Sequence, residues 1–245
     1  MEARAGSGMN DPAVAGRMPD DHAEARWDRI AAGAGLLFVL LVVATFFTPA
    51  TPDYPSTAEQ LAASLTDDRA GHQWSLLLGF LADIAVLVFL AGLWSRFRRH
   101  EGSGGMMSGL FAIGSAAFAA TILVSEGIYL ALVQAAETAD PSTLPTIEAL
   151  DYWVGICGVP AGVAMMIGAT GAVLSTHALP AWVGYLSGLT AVLLVLSLAA
   201  VFETDDESVL VAIGGFGGFL LFLVWALAAS VRMLMRPRRH AAATA

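Results

Sequence analysis

The sequence predicts an all-α fold: a polytopic transmembrane bundle with six spanning helices and both termini cytoplasmic. Three observations carry that expectation. Six long apolar stretches recur along the chain, 57% of its residues are hydrophobic against 13% charged, and Arg gathers beside alternate ends of the stretches. A soluble domain averages about 25% charged residues, so every polar residue here must be explained against lipid rather than water.

The stretches are Ile30–Phe47, Trp74–Trp94, Met106–Ser125, Trp153–Val173, Trp182–Val201 and Val209–Val231. Each is of the order of the about 20 helical residues that cross a hydrocarbon core. The connections are too short for a second domain. The expected layout is a disordered cytoplasmic tail over 1–28, a six-helix domain over 29–235 and a basic cytoplasmic tail over 236–245. A cleaved secretory signal is the competing reading of the first stretch. The leader before it is long and the apolar run exceeds the usual about 7 to 15 residues, so it reads as an uncleaved anchor.

All twelve basic residues are Arg, which points to a GC-rich bacterial genome. All but Arg69 fall on one expected side: Arg4, Arg17, Arg26 and Arg29; then Arg96, Arg98 and Arg99; then Arg232, Arg236, Arg238 and Arg239. That positive-inside bias places both termini in the cytoplasm and the protein in an inner membrane. Trp and Tyr mark the water boundaries, with Trp74, Tyr129 and Trp153 at the outer ends and Trp27, Trp94 and Trp182 at the inner ends. No basic stripe with interleaved aromatics is present, which excludes nucleic acid as a partner.

The outer connections differ in character. In Thr48–Gln73, Ser56 and Glu59 have capping-box spacing and open a short helix through Leu65. Leu144–Leu150 is a second short candidate helix, and both are expected over the outer mouth. Phe202–Ser208 is an acidic turn carrying Glu203, Asp205, Asp206 and Glu207, without Ca²⁺-loop spacing. The third stretch stays apolar to Ala136, which puts Glu126 at the outer interface. Gly105 with Gly109, Gly158 with Gly162, and Gly214 with Gly218 have the four-residue spacing of close helix contacts. Pro160 is expected to kink the fourth span, and the lone Cys157 is expected to pack as a small apolar residue.

Asp83 is the sharpest candidate for chemistry, because it falls near the middle of the second span. An ionisable group there costs about 2.5 to 3.5 kcal/mol on insertion scales and marks function by default. Ser115 and Thr190 come at similar depth and complete a candidate proton or polar site. Two readings are open: a proton or cation site facing a hydrated cavity, or a protonated acid in an interhelical hydrogen bond. Glu126, Glu148 and Asp151, with His72 near them, form an outer acidic rim that reads as solvated. No ligand spacing supports a metal site there, and no cofactor is implied. Signatures for metalloprotease, P-loop or serine-hydrolase chemistry are absent, so no catalytic residue is assigned and an enzyme is not expected.

Leu78–Arg99, with an Asp in the second span followed by an apolar run and an Arg cluster, and Leu179–Leu186, opening a span with Leu-Pro, Trp and Gly, carry a resemblance. With six spans, they resemble uncharacterised multi-pass membrane families of bacteria grouped as domains of unknown function. The resemblance implies a six-helix inner-membrane bundle with Asp83 at a recurring position. On these grounds the sequence favours a non-enzymatic bundle in the lipid bilayer that binds a partner protein, lipid or a second copy. The favouring arguments are the Gly-rich helix faces and the lack of a second buried charge beside Asp83. The alternative is a proton-coupled small-solute permease using Asp83.

Overall fold

A computed structural model describes residues 21–52, 54–202, 209 and 213–235. The described residues are helical, with no strand. The helices are α1 (Asp21–Thr45), α2 (Ala58–Asp67), α3 (Arg69–Glu101), α4 (Met106–Ala135), α5 (Leu144–Thr176), α6 (Ala181–Ser197) and α7 (Gly218–Leu234). A 3-10 turn, Leu198–Val201, extends α6, and a π-helical turn, Ile213–Gly217, leads into α7. All but α2 are long and apolar enough to cross a membrane. Helices satisfy their own backbone groups, which is what lets such segments lie in hydrocarbon. Leu40, Ile84, Ile113 and Val192 are exposed on their outer faces, as a lipid-facing surface requires.

The six long helices form a closed ring in which α1 packs on α3, α3 on α4, α4 on α5, α5 on α6, α6 on α7 and α7 back on α1. The ring encloses a core of Phe38, Phe89, Phe111, Met165, Phe222 and Trp225 among others. The α4–α5 pair is the most extensive, and glycine explains why. Gly114 lies against the backbone of Met165 and Ala161, and Gly168 against the backbone of Phe111 and Met107. A side chain at either position would hold the two backbones apart.

Of the glycine pairs read from spacing, Gly214 abuts the α6 backbone near Ser197 and Gly218 packs on Leu194. Gly158 meets Thr121 and Gly162 meets Phe118 and Leu194. Gly105 and Gly109 make no helix contact of this kind: Gly109 faces open space, and Gly105 sits in the left-handed region at φ 52° before α4. There it works in a tight α3–α4 turn, where the Glu101 carboxylate accepts from Met107 N at 2.8 Å and Ser108 N at 2.7 Å.

Several boundaries differ from expectation. α1 opens at Asp21, within the segment expected to be a tail through Asp28, while residues 1–20 lie outside the described residues. The capping box is Thr57 with Gln60, one residue beyond Ser56 and Glu59. Leu144–Leu150 is no separate helix but the first turns of α5, which continues through Pro160 to Thr176. Cys157 is exposed on α5 rather than packed. The acidic turn at Glu203–Glu207 and the tail over 236–245 lie outside the described residues.

At 1.5 Å per residue, the 33 residues of α3 and of α5 rise about 50 Å and the 30 of α4 about 45 Å, against a core of about 30 Å. α3 overruns its apolar stretch at both ends, whereas α4 and α5 overrun theirs mainly at the end where α2 lies. There Leu61 and Leu65 of α2 pack with Leu76, Leu132, Val133 and Leu144 into a second, smaller core.

Candidate functional site

The site grows from three helices that share this α2 end. Asp83 on α3 is 6% exposed, and its Oδ2 has no hydrogen-bond partner. One turn earlier on the same helix stands Gly79. The Glu126 carboxylate of α4 crosses over that glycine so closely that a Cβ there would meet Oε1 at 2.5 Å. The missing side chain is therefore what admits a second acid beside Asp83. Glu126 is within Coulombic reach of both Asp83 and Asp151.

Asp151 enters from α5. It is half-buried, and the Ser125 hydroxyl of α4 donates to its Oδ1. One turn on from Ser125, Tyr129 meets His72, with OH and Nδ1 2.7 Å apart. His72 is fully buried, and its Nε2 lies 3.2 Å from the carbonyl of Ser64 in α2. A carbonyl can only accept, so Nε2 carries a proton; in the neutral ring Nδ1 then accepts from the tyrosine hydroxyl. Polar groups thus descend from α2 through His72 and Tyr129 to Glu126 and Asp151, and on to Asp83, about three helical turns along α3 from His72.

The expected partners of Asp83 are elsewhere. Thr190 is buried on α6, where its hydroxyl donates to the Leu186 carbonyl at 2.9 Å. Ser115 is buried but without a hydrogen-bond partner, and it lines a cavity of about 170 Å³ with Leu87, Leu90, Ala91 and Trp94, beyond Asp83 along α3. Antiparallel packing sets the register: Glu126 pairs with the level of Gly79 and Asp83, so Ser115, about three turns away on α4, meets a later part of α3.

The acidic rim is likewise not the solvated surface expected. Glu148 is 8% exposed and accepts from Ser56 N at 3.2 Å and from the Ser56 hydroxyl. With Tyr54 stacked on Tyr152 at 4.4 Å between centroids, it pins the segment before α2 onto α5. Glu148 is an anchor; Glu126 and Asp151 are half-buried members of the interhelical group. No three His, Cys, Asp or Glu side chains gather as metal ligands among the described residues.

At the opposite end a second polar network ties α1, α3 and the α5–α6 turn. Arg96 is 6% exposed, its Nη1 lies 2.7 Å from Asp28 Oδ2, and its Nε and Nη2 donate to the Ala178 carbonyl at 3.0 and 2.9 Å. In the sequence this Arg reads only as an orientation signal. The one hint of more is an Asp placed just ahead of the first apolar stretch.

No family model matches the chain, and no curated protein or solved structure proves similar to it. What stands of the resemblance to uncharacterised membrane families is six apolar helices of membrane-spanning length.

Proposed function

We propose that this integral membrane protein handles protons, in the manner of a proton-coupled small-solute permease, with Asp83, Glu126 and Asp151 as its exchanging groups. The single observation that carries the reading is their convergence from α3, α4 and α5. The sequence argued against coupling because no second buried charge accompanied Asp83; half-buried Glu126 supplies a second ionisable group beside it. Glu126 is close enough to Asp83 and Asp151 for like charges to repel in a low-dielectric interior, which disfavours ionising all three together. His72 and Tyr129 offer a hydrogen-bonded connection toward the α2 end. With the Arg-bearing end inside, the group lies on the outer side of an inner membrane and both termini are cytoplasmic. The reading needs no covalent chemistry and no cofactor.

Purified protein in liposomes carrying an internal pH dye provides the test. Under an imposed pH gradient, proton uptake should exceed that of empty liposomes, and Asp83→Asn should abolish the excess. Equal uptake by the wild type and Asp83→Asn removes the carboxylate from the function.

A second reading is a bundle that binds lipid or a partner protein. A lateral groove of about 490 Å³ between α5 and α6, lined by Val163, Ile167, Val192 and Val195, supports it. Such a groove suits an acyl chain. Proton-inert protein that retains lipid through purification would favour this reading over the first.

A further inference from the structure

A cavity of about 340 Å³ opens at the Arg96 end, between α3, the α5–α6 turn and the end of α7. Arg96, His177, Ala178, Leu179, Pro180 and Arg232 line it, and among the described residues no carboxylate does. Asp28 and Ala178 engage Arg96 and fix its guanidinium at the cavity wall. Arg232 has no acidic partner among the described residues; its guanidinium stacks on Trp182 at 5.4 Å from the ring centroid. His177 ends α5 in the left-handed region at φ 55°, with its backbone N–H bonded to Val173 O and its side chain exposed.

A fourth source of positive potential is the start of α6. This 17-residue helix begins after Pro180, which lines the cavity, and no side chain caps its first turn, where Val183 N bonds to the Pro180 carbonyl at 2.9 Å. Unsatisfied N–H groups and the helix dipole favour an anion at such an end. Trp94 and Trp182 are exposed at the same end, and indoles concentrate at the headgroup level of a bilayer. The cavity is therefore at the depth of lipid phosphates.

We propose that this cavity binds the phosphate of an anionic phospholipid headgroup, with Arg232 and His177 as the contacting cations, Arg96 as the fixed wall and the α6 N-terminus beneath. Basic pockets between spanning helices hold anionic headgroups in this way. A free phosphate ion shares the chemistry, but the indoles beside the cavity and the apolar faces around it favour the tethered form. The inference is independent of the carboxylate group, which occupies the other end of the bundle.

The test uses the full chain in phosphatidylcholine nanodiscs titrated with phosphatidylglycerol, with bound lipid counted by native mass spectrometry. Phosphatidylglycerol should be retained in preference to phosphatidylcholine. Arg232→Gln should weaken its apparent affinity about five-fold, as expected for loss of one cation at a lipid surface. His177→Asn, which keeps a residue tolerant of the left-handed backbone, should weaken it as a single variant and further in combination. Arg26→Gln, an exposed Arg stacked on Trp27, should leave it unchanged. Should Arg232→Gln fold poorly in pure phosphatidylcholine, His177→Asn alone decides. Wild-type affinity in the double variant, or an equal loss in Arg26→Gln, overturns the site. Displacement of the lipid by millimolar inorganic phosphate assigns the cavity to a free anion and overturns the lipid.

Discussion

Asp28 and Arg96 meet at 2.7 Å with side chains only 4% and 8% exposed, while the second oxygen of Asp28 lies 2.9 Å from Arg99. One carboxylate thus clamps two guanidiniums of α3 to α1. Stranding one charge of a buried pair costs about 3–5 kcal/mol; because Arg99 still reaches Asp28, loss of Arg96 should cost less than that. Arg96→Met should lower the thermal midpoint in detergent accordingly, and Asp28→Leu combined with it should recover part of the loss. A double variant no more stable than Arg96→Met would mean that the pair is not the source of the stability.

Glu148 depends on Ser56 in a comparable way. Ser56→Ala removes the hydroxyl donor and leaves a buried carboxylate short of one hydrogen bond, at a cost of about 1–3 kcal/mol. The effect should be local. Hydrogen exchange should rise in α2 and the segment before it, with protection of α6 and α7 unchanged.

The α4–α5 crossing tolerates no side chain at Gly168, where a Cβ would press on the backbone of Phe111. Gly168→Ala should destabilise by about 1–3 kcal/mol through overpacking. Gly109→Ala, on the same pair of helices but facing open space, should be neutral. Similar midpoints for the two variants would show that backbone approach does not hold this interface.

Gly79→Ala separates stability from the proposed function. The atom displaced is the tip of Glu126, a flexible side chain that can swing away at little cost. The thermal midpoint should move little, whereas proton uptake in liposomes should fall several-fold. Uptake at the wild-type level would mean that Glu126 need not sit beside Asp83.

At the turn before α5, Asp140 accepts from Ser142 N at 2.9 Å, and that bond together with the Ser142 hydroxyl holds its carboxyl below the ordinary value of 3.8. A lowered folded value means that the contribution is present above the ordinary value and lost as pH falls through the folded one. Local protection of Ser142 N, followed by NMR, should disappear only below about pH 4. In Asp140→Asn that acid step should be missing.

The six long helices were legible because lipid permits little but long apolar runs, and such runs survive without knowledge of packing. Their ends were not, since α3, α4 and α5 overrun the apolar stretches at the α2 end. There His72, Glu148 and Asp151 find partners in other segments, and a linear reading takes them for solvated residues. Asp83 stood out because depth is nearly a sequence property. Glu126 did not, because its partnership depends on the α3–α4 register and on a glycine with no marking pattern around it. Ser115 was misplaced for the same reason. At α2 both Ser56 with Glu59 and Thr57 with Gln60 fit the capping spacing, and Glu148, remote in sequence, takes Ser56 for itself.

The contact between α7 and α1 makes the last helix the keystone of the ring. Without it, α1 and α6 would have no helix between them, and Phe38 and Phe89 would lose their aromatic partners Phe222 and Trp225. Trp225, fully buried against Phe89, and Ser230, over Gly35, fill that gap. Truncation ahead of Gly218 would therefore open the ring into a five-helix arc rather than leave a smaller version of the same protein.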